Sequence, residues 1–242
     1  MTGSLLYVCV RPQREAAVAE WASFRDGLGV RDEDLVHHDL VRAPLPEDLD
    51  RYAAVVVGGS PFNVTDPDKT DDQRRLERDL ERLAAVAIEG RTNALFTCFG
   101  IGVVTRLLGG RVSLLHPEGT GPTDIALTAA GRDDELFGIL EPRFEALTAH
   151  KEGTATVPPS AVLLAENDAC PVQAYRAGAG LWATQFHPEP TTDAFVERMV
   201  VYREAGYFDA DAFDEVSAHV RTASVEQPTR LLRSFAARSV AA

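Results

Sequence analysis

Short apolar runs alternate with longer amphipathic stretches in the N-terminal half of the chain. The runs at residues 5–10, 53–57 and 93–97 are continuous and rich in β-forming residues, which is typical of strands buried on both faces. Helical patterns occupy residues 13–28 and 71–89, and the second places leucines on one face and charged residues on the other. This alternation of strand and helix predicts a parallel sheet covered by helices.

The C-terminal half has a different pattern. Short β-prone runs predict antiparallel strands that complete the sheet, and residues 192–242 read as helical with a polar break at 226–228. We therefore expect an α/β fold, a flavodoxin-like three-layer open sheet that is mostly parallel with antiparallel additions. Residues 1–190 should form the main domain, and 191–242 a helical segment packed on it as core cover or as a docking surface. The β-prone runs are residues 112–115, 124–128, 144–149, 161–165, 172–175 and 181–185.

The net negative charge of the chain bears on which classes of partner it can bind. The 242 residues include 24 Lys and Arg against 37 Asp and Glu, a formal charge of −13, and no basic cluster offsets it. Nucleic acid and anionic membrane surfaces are therefore not expected as partners. The first apolar run is too short for a signal peptide or a membrane span, so we expect a cytoplasmic protein.

The cysteines and histidines show no metal-binding pattern. Cys9, Cys98 and Cys170 are odd in number and far apart, which is typical of free thiols in a reducing compartment rather than of a disulfide framework or a zinc site. No other metal-ligand spacing occurs. We expect neither a metal nor a cofactor.

Cys98 stands where an apolar run ends and a glycine-spaced helical segment begins. A strand ending before Cys98 and a helix starting at Phe99 would place the sulfur on a tight turn at the carboxyl edge of the sheet, as in a nucleophile elbow. Gly100 and Gly102 lack Cβ atoms and so leave room beside the sulfur. The free N–H groups of the first helical turn can stabilise negative charge there. A buried structural cysteine in an ordinary strand-to-helix connection is the alternative.

Gly58, Gly59 and Ser60 follow the run at residues 53–57. Glycines at the carboxyl end of a central strand let backbone N–H groups approach a ligand closely. If this strand neighbours the one before Cys98, the N–H groups of Gly59 and Phe99 could together form an oxyanion hole. A tight turn before a loop is the alternative interpretation.

His187 and Glu189 supply a candidate base and its orienting partner. Residues i and i+2 of an extended segment face the same way, and Pro188 favours extended backbone at His187. The Glu189 carboxylate can then reach the outer imidazole nitrogen, fix its tautomer and favour the imidazolium. A polar turn leaving the sheet would have the same residues.

Five short motifs occur in one order over most of the chain. They are Val57-Gly58-Gly59-Ser60-Pro61, Cys98-Phe99-Gly100, Ala149-His150-Lys151-Glu152, Cys170-Pro171-Val172-Gln173-Ala174 and Gln185-Phe186-His187-Pro188-Glu189. In these motifs the chain resembles the class I glutamine amidotransferases, and most closely free-standing proteins similar to the glutaminase domain of GMP synthase. The resemblance implies that residues 1–190 are a glutamine amidotransferase-like catalytic domain.

The resemblance also implies the roles of individual residues. Cys98 would be the nucleophile that forms a thioester with glutamine, His187 the base and then the acid to ammonia, and Glu189 its orienter. Backbone N–H groups of Gly59 and Phe99 would hold the oxyanion. The further residues implied near the substrate are Gly58, Ser60, Gly102 and His150.

Two departures from the family pattern leave the substrate open. The family elbow reads Gly-x-Cys-x-Gly-x-Gln, whereas this chain has Phe96 before the cysteine and Gly102 in place of the glutamine. The substrate is then glutamine or another γ-glutamyl amide or peptide, and a non-catalytic binding or regulatory protein of the same fold is a further alternative. An ATP-binding Gly-x-x-x-x-Gly-Lys motif does not occur. An ammonia acceptor or synthetase would therefore be a separate partner, and a homodimer is left open.

Overall fold

Eleven strands and seven α-helices make up the described part of the computed structural model, residues 3–241, with side chains described up to Ser239. The strands are β1 (Leu5–Cys9), β2 (Leu35–Asp39), β3 (Ala54–Val57), β4 (Asn93–Thr97), β5 (Arg111–Ser113), β6 (Glu118–Leu127), β7 (Arg143–His150), β8 (Gly153–Thr156), β9 (Ala161–Glu166), β10 (Ala174–Ala177) and β11 (Leu181–Thr184). The helices are α1 (Arg14–Leu28), α2 (Asp71–Ile88), α3 (Phe99–Leu107), α4 (Ala129–Asp133), α5 (Thr192–Val201), α6 (Phe213–Val220) and α7 (Glu226–Ala241).

Nine strands form one mixed sheet in the order β2-β1-β3-β4-β11-β10-β9-β6-β7. The first five are parallel, and the remaining four continue the sheet in antiparallel fashion. One apolar cluster packs α2 and α3 on one face, and a second packs α1 and α7 on the other. The expected α/β fold, with helices on both faces of the sheet, is confirmed.

Two predicted strands form, but they pair with other strands than expected. The run predicted at 112–115 does not join the main sheet, because β5 pairs with β8 in a separate two-stranded ladder. The last strand, β11, was expected to be antiparallel throughout, but it lies parallel to β4 and antiparallel only to β10. All four residues of β11 are buried, since the strand sits between two others in the middle of the sheet.

The C-terminal helices break at other positions than the sequence indicates. Turns separate α5, α6 and α7, whereas Glu226–Pro228, expected as the break, is the first turn of α7. Proline is tolerated there because a first-turn N–H has no intrahelical acceptor. Leu231, Leu232 and Phe235 of α7 are buried in the same cluster as β1 and α1. Within residues 3–241, no helix is long and apolar enough to cross a lipid bilayer.

Gly131, in the short helix α4, is required by a close approach of backbone. A Cβ at this position would lie 1.9 Å from the carbonyl oxygen of Leu164. We expect Gly131→Ala to lower the free energy of unfolding by about 3 kcal/mol, because α4 would have to move off β9. Denaturant unfolding measures this. Gly119→Ala is the matched control, because a Cβ there meets nothing within 4 Å. Equal stabilities of the two variants would contradict the prediction.

The parallel strands of the sheet bring the candidate site residues together. Because β1, β3, β4 and β11 run the same way, their carboxyl ends meet at one edge of the sheet. Arg11, Gly58, Cys98 and Gln185 lie at or just beyond these ends. Residues far apart in the sequence are thereby brought to one cleft.

Candidate active site

Cys98 occupies the turn between β4 and α3, as the sequence predicts. Its φ of 50° and ψ of −103° make it the one non-glycine residue with positive φ among residues 3–241. The strained turn is held by the Cys98 N–H, which donates to the Thr184 carbonyl at 2.8 Å, and by the Ile101 N–H, which donates to the Cys98 carbonyl at 3.1 Å. Cys98 is 8% exposed, so it lies at the floor of a cleft.

His187 and Glu189 lie side by side, with Nδ1 of the imidazole 3.0 Å from Oε1 of the carboxylate. Burial lowers the pKa of His187, but the Glu189 carboxylate and the charge and hydrogen bond of Cys98 outweigh burial and raise this pKa to about 9. Burial raises the pKa of Glu189, and the nearby His187 and Arg198 outweigh it and hold the pKa well below its usual range. Cys98 and His187 line the same cavity, and the Nδ1 atom of His187 is bonded to Glu189.

The raised pKa of His187 predicts that stability falls at alkaline pH. The folded protein holds the His187 proton up to pH about 9, whereas the unfolded chain releases it near 6.5. Between these values the folded state binds more protons, so the free energy of unfolding should decrease by about 1–3 kcal/mol as pH rises. Denaturant unfolding across this range measures the slope.

The control for this prediction compares two histidines. His187→Gln should reduce the loss of stability between pH 6.5 and 9. His219→Gln, at an exposed position of α6, should keep the wild-type slope. If both variants keep that slope, the imidazolium of His187 does not contribute to stability.

A buried ionic network lies behind this pair. Arg198 Nη1 donates to Glu189 Oε1 at 2.7 Å and to Glu20 Oε1 at 3.1 Å. Glu20 also accepts from Arg11 Nε at 2.8 Å and from the Tyr7 hydroxyl at 2.7 Å. Two arginines and two glutamates therefore balance one another and hold the Glu189 carboxylate in place.

Sequence reasoning did not find the arginines or Glu20. The one usable signal is that Glu20 lies on the apolar face of α1, between the buried residues Ala16 and Phe24 at helical spacing. A carboxylate at a core position of a helix indicates a buried cation as its partner, because an unpaired buried charge is costly. The cations themselves come from the end of β1 and from α5, far apart in the sequence.

The predicted oxyanion-hole residues follow the ends of neighbouring strands, β3 and β4. The Phe99 N–H is the first of α3 and has no intrahelical acceptor. The Gly59 N–H donates to Glu20 Oε1 at 3.1 Å. A Cβ on Gly59 would lie 2.8 Å from the His187 ring, and one on Gly58 would lie 2.1 Å from Glu20 Oε2. Both glycines are therefore needed for Glu20 and His187 to approach the backbone.

Cys98 divides the cleft into two chambers. We call the first the Gly102 chamber; it has a volume of about 330 Å³ including its opening, and Phe99, Gly102, Lys151 and Glu152 are among its walls. The second, the His187 chamber, has a volume of about 420 Å³ including its opening, and His187 and Arg198 line it. Ser60, Cys98, Ala149 and Tyr207 line both chambers.

The walls of the Gly102 chamber are tied together by Glu152. This carboxylate accepts from the Val64 N–H at 2.7 Å and from the Thr65 N–H at 2.9 Å, so it holds the loop after β3. A Cβ on Gly102 would lie 3.2 Å from Val64 and 3.5 Å from Glu152 Oε1. Lys151 Nζ donates to the Ala205 carbonyl at 2.6 Å and lies 4.8 Å from the centre of the Tyr207 ring, and within the described residues it has no carboxylate partner. Neutral groups therefore hold this cation.

His150 lines the Gly102 chamber, but protein groups engage both of its ring nitrogens. Nε2 lies 2.7 Å from Glu118 Oε2, and Nδ1 lies 2.9 Å from the Glu152 carbonyl oxygen. The ring thus has no nitrogen left for a ligand. Its contact with the Glu152 backbone makes it suited to position that residue.

Two buried groups contain the residue types of metal ligands. These are Glu118 with His150 and Cys170, and Glu20 with His187 and Glu189. In both groups the imidazole and carboxylate atoms already bond to one another or to neighbouring protein groups. Burial raises the pKa of Cys170 to about 12, which keeps this thiol protonated. The arrangement is therefore that of hydrogen-bonded networks.

The fold and the cleft define a class of protein. A cysteine on a strand-to-helix turn, facing a histidine that is bonded to a buried carboxylate, is the arrangement used by cysteine-dependent amide hydrolases. No protein-family model matches the chain. Individual relatives do match, both by sequence and by structure.

Two curated proteins illustrate the relatives. Gamma-glutamyl peptidase 3 of Arabidopsis thaliana is 25% identical over 195 residues, which cover 78% of this chain and 74% of that protein. A glutamine-hydrolysing GMP synthase of Flavobacterium psychrophilum is 27% identical over 146 residues, 60% of this chain. The match spans only 26% of the length of that GMP synthase. Among solved structures, a glutamine amidotransferase from Thermotoga maritima has a TM-score of 0.77 at 15% identity, over the whole of both chains.

These similarities confirm the resemblance to the class I glutamine amidotransferases. The sequence relatives are a glutamine-hydrolysing synthase and a γ-glutamyl peptidase, and the structural neighbour shares the fold.

Proposed function

We propose that this chain cleaves the side-chain amide of glutamine, or of a related γ-glutamyl compound, through a thioester on Cys98. The observation that carries the proposal is the bonded pair of His187 and Glu189 in the cavity that Cys98 also lines, with the sulfur on a strained turn at the carboxyl edge of the sheet. The sequence relatives named for glutamine hydrolysis and γ-glutamyl peptide cleavage support this class of substrate.

The reaction uses one proton carrier in both halves. His187 carries the thiol proton as an imidazolium, which Glu189 stabilises, while the Cys98 sulfur attacks the amide carbon. The imidazolium then gives its proton to the leaving nitrogen as the C–N bond breaks. Water, deprotonated by the same imidazole, cleaves the thioester and releases glutamate.

The N–H groups of Phe99 and Gly59 are the proposed donors to the oxyanion of each tetrahedral intermediate. The Gly59 N–H is bonded to Glu20, so this bond has to be exchanged for the oxyanion. Glu20 keeps Arg11, Arg198 and Tyr7 as donors, so its carboxylate stays paired when Gly59 is released. The exchange therefore leaves no buried charge without a partner.

The glutamyl part of the substrate fits the Gly102 chamber. Lys151 lines this chamber and has no carboxylate partner among the described residues, so it is suited to pair with the α-carboxylate of the substrate. Lys151 would then supply recognition that Gly102 cannot. Ser60 borders both chambers, Gly58 makes room for Glu20, and His150 positions Glu152.

The thioester is tested by trapping it. Purified protein is incubated with glutamine, with and without hydroxylamine. We expect glutamate and ammonia in equal amounts, and γ-glutamyl hydroxamate when hydroxylamine competes with water for the thioester. Absence of product from glutamine and from every γ-glutamyl compound would favour a non-catalytic binding protein of this fold.

With glutamine as the substrate, the proposal includes a partner that accepts the released ammonia. The similarity to a GMP synthase supports a separate synthetase chain as the acceptor of ammonia. Hydrolysis of γ-glutamyl peptides is the second candidate function, and the Arabidopsis thaliana relative favours it. A homodimer stays a prediction.

A further inference from the structure

The His187 chamber lies on the side of Cys98 from which the leaving group departs. His187 lines this chamber and not the other, and Cys98 borders both. A general acid has to reach the leaving nitrogen, so the leaving group must occupy the side of the sulfur where His187 stands. The chamber extends from Cys98 to residues of α5 and the segment that follows it, and it opens to solvent, so a leaving group larger than ammonia has a path out.

The chamber has apolar walls and a cationic end. Phe195, Met199 and Phe208 come from α5 and the segment that follows it, and Arg11 and Arg198 face the same space. Among the described residues, no aspartate or glutamate lines the chamber. The carboxylates that pair with these arginines, Glu20 and Glu189, are buried behind them.

One hydrogen-bond donor of Arg198 has no acceptor in the described part of the chain. Its side chain is 5% exposed, and Nη1 is shared between Glu20 and Glu189. Its Nη2 is buried and has no hydrogen-bond acceptor within the described residues. An unsatisfied buried guanidinium donor is costly, and a carboxylate is the ligand whose geometry suits it. Because Arg198 lines the chamber, a small movement of its side chain would let this donor reach an anionic oxygen there.

We propose that the His187 chamber is a leaving-group subsite for a small amine that bears a carboxylate, so that the preferred substrate is a γ-glutamyl amino acid rather than glutamine. The inference rests on the proposed function and names its substrate class. The γ-amide C–N bond breaks, His187 gives its proton to the nitrogen of the departing amino acid, and the glutamyl group stays on the Cys98 sulfur. Water then releases glutamate, so the products are glutamate and a free amino acid.

Three substrates separate the contributions of size and charge. γ-Glutamylglycine carries a carboxylate on its leaving amine, γ-glutamylethylamide has nearly the same length without that charge, and glutamine releases ammonia. We expect kcat/KM for γ-glutamylglycine to exceed that for γ-glutamylethylamide by about 10- to 100-fold, as for a hydrogen bond to a charged group. It should also exceed that for glutamine by at least about tenfold. Equal values for the first two, or a preference for glutamine, would overturn the inference.

A variant that narrows the chamber supplies an independent test. Thr120 lines the His187 chamber at its β6 side and does not line the Gly102 chamber. Thr120→Phe should lower kcat/KM for γ-glutamylglycine at least about tenfold more than for glutamine, because the larger leaving group meets the new ring. Thr156→Phe, at an exposed position of β8, is the matched control and should change neither substrate.

The outcomes distinguish this inference from the proposed function. Hydrolysis of none of the three compounds would overturn both. Hydrolysis of glutamine with no gain from the glycine carboxylate would overturn only the subsite and leave the amide hydrolase standing. Equal effects of Thr120→Phe on both substrates would likewise remove the subsite. If Thr120→Phe does not fold, the comparison of the three substrates on the native protein still decides.

Discussion

Replacing Cys98 with alanine is expected to reduce glutamine and γ-glutamyl amide hydrolysis by at least about 10⁴-fold in kcat. The thioester cannot form without the sulfur, and His187 then has no nucleophile to deprotonate. Ammonia and glutamate release by the purified variant measures the effect. The variant should keep the wild-type fold, because alanine occupies less space at the same turn.

Cys170→Ala is the matched control for this result. Cys170 is also buried, and burial raises its pKa to about 12, so it should not act as a nucleophile. We expect this variant to retain hydrolysis within about threefold of the native protein. Activity that survives in Cys98→Ala, or is lost in Cys170→Ala alone, would assign the nucleophile elsewhere.

Glu189→Gln is expected to lower kcat by about 10³-fold. The amide removes the charge that stabilises the His187 imidazolium, and it leaves Arg198 and Arg11 with Glu20 as their one remaining buried anion. The pKa of His187, which Glu189 and Cys98 raise to about 9, should fall. Steady-state kinetics measure the loss of kcat.

Glu20→Gln separates this electrostatic role from the stability of the network. Glu20 accepts from Arg198 as Glu189 does, but it makes no hydrogen bond with His187. We expect Glu20→Gln and Glu189→Gln each to lower the free energy of unfolding by about 2–4 kcal/mol. The loss of kcat should be smaller for Glu20→Gln than for Glu189→Gln. A loss of kcat as large as that of Glu189→Gln would mean that Glu189 has no role beyond the shared network.

The arginine and glutamate network shows why the whole site could not be predicted from the sequence. Cys98, His187 and Glu189 lie in short motifs with local geometric logic, namely a strand-to-helix turn and an extended i, i+2 pair. Arg11, Glu20 and Arg198 have no such local signal, and their pairing exists only because β1, α1 and α5 meet behind His187. The engagement of the Gly59 N–H by Glu20 belongs to the same group of contacts.

The sequence by itself determined that the early strands are parallel, that the elbow lies at Cys98 and that His187 pairs with Glu189. These depend on periodicity and on spacing over a few residues, which act within one element. The tertiary structure alone decided that β11 lies parallel to β4, that α7 begins at Glu226 and that Cys98 separates two chambers. Those features depend on which elements pack together, and packing is set by contacts between residues distant in the chain.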